Sequence, residues 1–277
     1  MPPPLRALYV DLDATLLGAG ASLIHDGEGV PSTQGVRAIE ACLRAGVEVV
    51  PVTGRRRAEA REAARLLGVR AYVFEAGGAV MLDGEEHWLT GPFLPGERSV
   101  HEQIAATGAL ALLLDRYAGR LEEHEPWHRG REVSHVLRGL VDTAEAAQLL
   151  AEHGHGTVRL LDNGPASRWS LDLEGLERVR VYHLLPAGAS KAQGVAFHRR
   201  ARALAREEAI AVGDSPEDLA CADQVATQWI VANGLEHDPR MRELIPAHVN
   251  VRVTGAGHGP GVYEAVVTEL AERRGGG

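Results

Sequence analysis

The short apolar run Ala7 to Val10 stops at Asp11-Leu12-Asp13, and a helical stretch from about Thr33 to Ala45 leads on to a second apolar run, Val47 to Val52. Strand, helix and strand in that order predict a parallel pair joined by a right-handed crossover, since antiparallel neighbours need no helix between them. The rhythm continues with a helix over Arg57 to Leu67, stopped by Gly68, and a strand over Ala71 to Phe74. It resumes near the other end, where Ala209 to Val212 reads as a strand, Pro216 to Ala222 as a helix and Gln228 to Val231 as a strand. The two ends of the chain are therefore expected to build one α/β unit around a parallel sheet.

Between them the pattern changes. Glu132 to Arg138 predicts a strand, Thr143 to His153 a helix, and Arg178 to Leu185 a final strand. Val158 to Leu161 and Arg168 to Leu173 flank Asp162-Asn163-Gly164-Pro165, which reads as a hairpin turn. Residues 83–186 are thus expected to form an α+β domain with an antiparallel sheet, inserted into a core of residues 1–82 and 187–277. Both pieces have independently foldable sizes. The Gly275 to Gly277 tail is expected to lack order.

Composition narrows the partners. Lys and Arg number 29 against 38 Asp and Glu, a formal charge of −9, so the chain repels polyanions and nucleic acid is excluded as its main partner. No apolar stretch approaches the roughly 18 residues that span a bilayer, so no membrane partner is expected. Cys42 and Cys221 lie far apart in Ala-rich helical stretches and read as buried thiols, consistent with a reducing cytoplasm.

Open α/β sheets bind ligands where their strands end, and the polar residues gather there. Asp11 and Asp13 close the first strand; two carboxylates so spaced can divide labour, one attacking or binding a cation and the other moving a proton. Thr53-Gly54-Arg55 closes the second with a hydroxyl, a backbone N–H and a guanidinium at an expected helix start, a set suited to an anion. In Gly213-Asp214-Ser215-Pro216-Glu217-Asp218, a Pro in the first helical turn places Asp214 and Asp218 one turn apart, and oxygen ligands so crowded suit Mg2+. Ser190-Lys191, after the insert, adds a point cation. Singly, each of these also fits a turn, an N-cap or a solvated surface. Their common order, each at a strand end or helix start, points to one site.

The ordered set resembles the haloacid dehalogenase-like hydrolase superfamily, with Asp11-x-Asp13-x-Thr15 as first motif, Thr53 as second, Lys191 as third, and Gly213-Asp214 with Asp218 as fourth. Members with the larger α+β cap, type IIB, carry it between the second and third motifs, so the resemblance implies a Rossmann-like core with an inserted cap. It also implies a phosphoric monoester hydrolase in which Asp11 attacks phosphorus to form an aspartyl-phosphate. Asp13 would protonate the leaving alcohol and then activate water. Mg2+ would be held by Asp11, the backbone carbonyl of Asp13 and Asp214, with Asp218 nearby through water. Thr53, the Gly54 amide and Lys191 would hold phosphate oxygens, with Arg55 beside them.

Glu75-Ala76-Gly77-Gly78-Ala79 is similar to the Glu-Asn-Gly-Gly-Ala stretch of mannosyl-3-phosphoglycerate phosphatases, and Gly257 to Gly261 to the ending of the same branch. The implied substrate is a small phosphorylated metabolite, a sugar phosphate or a glycosyl-3-phosphoglycerate. Ala76 replaces the asparagine of that stretch, and Glu217 stands where the fourth motif commonly has one. These departures keep two alternatives in view, a phosphomutase of the same fold and a catalytically silent sugar-phosphate sensor. A dehalogenase has no use for Asp13 as leaving-group acid, and a receiver domain is too small. His124 and His128 flank Pro126, which breaks a helix and favours a surface loop over a zinc site.

Overall fold

The computed structural model describes residues 2–166, 170, 173 and 175–274. The strand expected over Arg168 to Leu173, where location makes Arg168 and Trp169 substrate candidates and core or hairpin packing is the favoured alternative, falls mostly outside the described residues, and the Gly275 to Gly277 tail wholly so.

The first strand, β1 (Ala7–Val10), is buried along its whole length, as a central strand covered on both faces must be. Helix α1 (Gln34–Arg44) carries the chain to β2 (Glu48–Pro51), and α2 (Arg57–Leu67) ends at Gly68 in the left-handed region, φ 70°. Next come β3 (Tyr72–Phe74), β4 (Ala79–Leu82) and β5 (Glu85–Trp88), an antiparallel meander tied to β2 by a bridge between Val52 and Val73. The domain boundary expected between residues 82 and 83 falls in the β4–β5 turn, so pairing holds the chain to the core side as far as Trp88.

The next stretch contains α3 (Val100–Thr107), α4 (Ala109–Arg116), β6 (Leu121–Glu123), β7 (His135–Gly139), α5 (Thr143–Glu152), β8 (Val158–Pro165) and β9 (Arg180–Pro186). Its sheet runs β6-β7-β9-β8, antiparallel throughout, and the three helices share an apolar core with one of its faces through Ile104, Leu113, Leu150 and Tyr182. The hairpin turn expected at Asp162 to Pro165 is not formed. β8 runs through those residues paired to β9, and Gly164, at φ 100°, sits in a register shift between Asp162 and Pro165, so the turn-favouring glycine serves a bulge. The strand expected from Glu132 begins at His135, because the amides of Glu132, Val133 and Ser134 bond to Glu75 instead of to a neighbouring strand.

The chain then returns through α6 (Lys191–Ala201) to β10 (Ala209–Gly213), α7 (Pro216–Leu219), β11 (Thr227–Ile230), α8 (Ala232–His237), α9 (Met241–Leu244), β12 (Val251–Val253) and α10 (His258–Arg274). The main sheet is parallel in the order β12-β11-β10-β1-β2. α1 and α10 cover the face bearing Leu8 and Val10, whereas α6 packs on the face bearing Ala7 and Tyr9. From β1 the path goes to β2 on one side, and β10 lies on the other. That reversal opens a crevice beyond the carboxyl ends of β1 and β10. Among the described residues no helix is long and apolar enough to cross a membrane.

Candidate active site

Asp11 follows β1 directly and its amide donates to Val212 O at 3.0 Å, which fixes its side chain at the crevice beside β10. Lys191 opens α6 after the N-cap Ser190 and is 3% exposed. Its Nζ donates to Asp11 Oδ1 at 2.9 Å and to Asp218 Oδ1 at 2.8 Å, joining residues 180 and 27 positions away in sequence. Asp214 Oδ1 accepts from Thr15 Oγ1 at 2.9 Å. The other oxygen of Asp218 accepts from the amides of Asp214 and Ser215 and from Ser215 Oγ at 2.6 Å, so this carboxylate caps α7 and orders the loop before it. Gly213 is required for that approach, since a Cβ there would lie 2.2 Å from Cβ of Asp218.

Thr53, 1% exposed, accepts the Arg55 amide at 3.1 Å on Oγ1, which leaves its hydroxyl proton to donate. The Gly54 N–H has no protein partner among the described residues. Helix α2 starts only at Arg57, with Arg56 as N-cap, so the anion-suited set occupies a loop and not the helix start expected for it. Arg55 is turned to the exposed Asp13 carboxylate, with Nε 2.8 Å from Oδ2. Asp11, Asp214, Asp218, Lys191 and Thr15 are thus brought together, while the Asp13 carboxylate and Arg55 form a separate pair.

The charge balance of the cluster is unfavourable by itself. Burial, followed by the neighbouring Asp218 charge, pushes Asp214 up to about 7. Burial likewise raises Asp11 well above the usual carboxylate range, although the adjacent Lys191 opposes it. Lys191 resists its own burial because Asp11, Asp218 and Glu217 favour its charge and hold it well above an ordinary lysine. Glu217 is 4% exposed, neither of its carboxylate oxygens has a hydrogen-bond partner among the described residues, and burial pushes it up to about 7. The Lys191 ammonium is outnumbered by three buried carboxyl groups, Asp11, Asp218 and Glu217, and the half-buried Asp214, with Arg159 the further positive charge near Glu217.

A divalent cation fits this donor set. One carboxylate oxygen from each of Asp11, Asp214 and Asp218 lies within 4.8 Å of the others, all hard ligands of the kind Mg2+ takes. Both Asp218 oxygens accept hydrogen bonds, whereas Asp11 and Asp214 each have one oxygen so engaged and one open to a cation. A pH dependence follows. Acids whose folded pKa is raised favour folding below the unfolded carboxylate range, and that contribution is lost as pH rises through about 7. Mg2+ is therefore expected to raise the melting temperature at pH 8 by about 5 °C or more and to do little at pH 5, where it must displace protons. Paired thermal melts check this, and equal shifts at both pH values would contradict it.

The residues around the crevice that local sequence did not reveal belong to the insert and its hinge. Glu75, fully buried, accepts from the amides of Glu132, Val133 and Ser134 at 2.7–3.0 Å and from Ser134 Oγ at 3.1 Å. Gly77, at φ 89°, lies against the other connection, where a Cβ would be 1.9 Å from Ser190 O. The Glu75 to Gly78 stretch thus holds the insert at the segment before β7 and at its exit before α6. Ala76 sits at φ 55°, a conformation asparagine adopts more readily, and packs under Leu161, Leu185 and Ala189. Arg131 Nη1 reaches Gly54 O at 2.9 Å, and His183 and Asn163 face Gly54 from β9 and β8. The Gly257 to Gly261 stretch is structural: Gly259 packs on Gly35 at the α1–α10 contact, and Asn233 ties the His258 amide to Ala14 O. Among the described residues, no metal-ligand group includes His124 or His128.

No family model matches the chain. It is 28% identical to a phosphoglycolate phosphatase of Archaeoglobus fulgidus over 264 residues, covering 94% of this chain and 95% of that one. The sucrose-phosphatase of Synechocystis sp. PCC6803, solved with sucrose and phosphate, superposes with a TM-score of 0.66 at 15% identity over 96% of this chain and 98% of that one. A subclass IIB sugar phosphatase of the same superfamily gives 0.57 at 16% identity, covering 98% and 99%. These likenesses extend over core and insert together.

Proposed function

We propose that this chain, a haloacid dehalogenase-like hydrolase by fold and motif order, is a Mg2+-dependent phosphatase of a small phosphorylated metabolite, acting through an aspartyl-phosphate on Asp11. The observation that carries the reading is the buried contact of Lys191 with both Asp11 and Asp218, with Asp214 alongside. The phosphatase names of relatives at 26–29% identity along most of the chain support it.

Bound between Asp11 and Asp214, Mg2+ would supply neutralising charge for the phosphoryl oxygens and keep Asp11 ionised. Lys191, the Thr53 hydroxyl and the Gly54 amide hold the phosphoryl group against Asp11 with donors set before the reaction begins. An Asp11 oxygen forms a bond to phosphorus as the ester P–O bond breaks, and Asp13 gives its proton to the departing alkoxide. Asp13 then takes a proton from water, whose oxygen attacks phosphorus; inorganic phosphate leaves and the Asp11 carboxylate returns. Arg55 engages both Asp13 oxygens, so it must release one of them before Asp13 carries the leaving-group proton. The insert, which reaches Gly54 through His183, Asn163 and Arg131, would keep bulk water from the ester until the alcohol has gone.

The test is release of inorganic phosphate from a panel of small phosphate monoesters, sugar phosphates, glycosylated phosphoglycerates and phosphoglycolate included. Turnover is expected in Mg2+, with a fall of about 100-fold or more in EDTA that Mg2+ restores. Binding without turnover across the panel would favour a sensor. Phosphoryl return to a sugar without phosphate release would make the chain a mutase, and equal rates in EDTA would remove the cation from the scheme.

A further inference from the structure

The insert presents its sheet to the Thr53 loop, and beside Arg131, which bonds Gly54 O, the side chain that faces the Cα of Gly54 is His183 on β9. Its Nε2 lies 3.5 Å from where a Cβ on Gly54 would stand, with Asn163 Nδ2 at 3.9 Å. His183 is 3% exposed, and its Nδ1 lies 3.1 Å from Ser134 Oγ, whereas Nε2 has no protein partner among the described residues.

The hydrogen-bond chain behind the ring decides which nitrogen carries the proton. Ser134 has one hydroxyl proton and two candidate acceptors, Glu75 Oε2 and His183 Nδ1, each at 3.1 Å. The carboxylate is the stronger acceptor because the bond is charge-assisted. Ser134 therefore donates to Glu75 and accepts from the imidazole, so Nδ1 bears the proton and Nε2 is left with a lone pair. Burial, with the Arg131 and Lys191 charges near it, keeps the ring neutral.

On the reading that Asp11 receives a phosphoryl group held by Thr53 and Gly54, a leaving group that extends toward the insert meets this nitrogen. We propose that His183 selects the leaving group, accepting a hydrogen bond at Nε2 from a hydroxyl on the substrate's carbon chain, so that polyol and sugar phosphates are favoured over phosphorylated carboxylic acids of similar length. A carboxylate at this place offers only acceptors to a lone pair. The Arg131 guanidinium, whose charge reaches the ring, has Nη1 and Nε engaged with Gly54, Ser134 and Trp127 and only Nη2 without a protein partner among the described residues, so phosphoglycolate reports whether that group captures a carboxylate. Asn163 Nδ2 supplies a donor for the same hydroxyl.

Three probes separate the contributions: glycerol phosphate, phosphoglycolate, and p-nitrophenyl phosphate, whose leaving group has no aliphatic hydroxyl. The protein is expected to favour glycerol phosphate over phosphoglycolate in kcat/KM by about tenfold or more. His183→Phe is expected to lower the ratio of glycerol phosphate to p-nitrophenyl phosphate kcat/KM at least about tenfold, and His183→Gln, which keeps an acceptor, to recover most of it. Measuring a ratio within one preparation removes any loss of folded enzyme. Equal losses on both substrates, an unmoved ratio, or a preference for phosphoglycolate would overturn the role of His183 while leaving the phosphatase reading in place. No turnover of any probe by the unmodified protein would overturn both.

Discussion

Asp11→Asn is expected to lower kcat by about 10⁴-fold with the fold intact, because an amide oxygen has neither the charge nor the nucleophilicity to displace an alkoxide from phosphorus. The substitution is nearly isosteric, and the amide oxygen would still accept from Lys191 as the Asp11 carboxylate does at 2.9 Å. Stability should move the other way. Asp11 is buried beside Asp214 and Asp218 with the Lys191 ammonium bridging it to Asp218, so removing one negative charge relieves repulsion. At pH 8 without Mg2+ the variant should melt at or above the temperature of the unmodified protein, and the cation should raise that temperature less. Activity in Mg2+ within tenfold of the unmodified protein would rule out Asp11 as nucleophile. An inactive variant that also melts much lower would mean Asp11 serves the fold, a result the charge balance excludes.

The core of this site was legible because its residues sit where chain topology forces them together. Asp11 and Asp214 each follow a short apolar strand, and two parallel neighbours place both at one end of the sheet whatever the rest of the chain does. Lys191 was legible from its position after the insert, although no local feature distinguishes it from a surface lysine; only its 3% exposure and two carboxylate partners do so. Arg55 could be placed at the crevice, yet its choice of Asp13 depends on a contact between residues 42 positions apart. The insert was harder to read. Asp162-Asn163-Gly164-Pro165 has the chemistry of a tight turn, but pairing with β9 outweighed it and carried Asn163 toward Gly54. His183 and Ser134 meet only through the register of β7 against β9, and Glu75 acquires its role from three amides nearly 60 residues on. Such contacts have no local periodicity to betray them.

Lys191→Met is the harsher test of the same cluster, because a side chain of similar length is kept while the one ammonium between the carboxylates is lost. Breaking a buried ion pair from one side costs about 3–5 kcal/mol, which corresponds to a fall in melting temperature on the order of 10 °C in a chain of this size. The loss should depend on pH with a defined sign. At pH 5 the raised acids, Asp214 and Glu217 near 7 and Asp11 also elevated, take up protons and need no counter-charge, so most of the penalty should vanish. At pH 8 it should be present in full, and Mg2+ should return part of it by replacing the missing positive charge. Activity should fall about 10³-fold even with the cation bound, since a fixed donor to the phosphoryl oxygens is gone. The combination with Asp11→Asn is the most informative measurement. Two groups in direct contact do not contribute independently, and here the second change removes a carboxylate that the first left unpaired. The double variant should therefore melt higher at pH 8 than the summed effects of the two single substitutions predict. If the effects of the two substitutions on stability simply add, the contact between residues 11 and 191 carries no energy and the cluster is not one electrostatic unit.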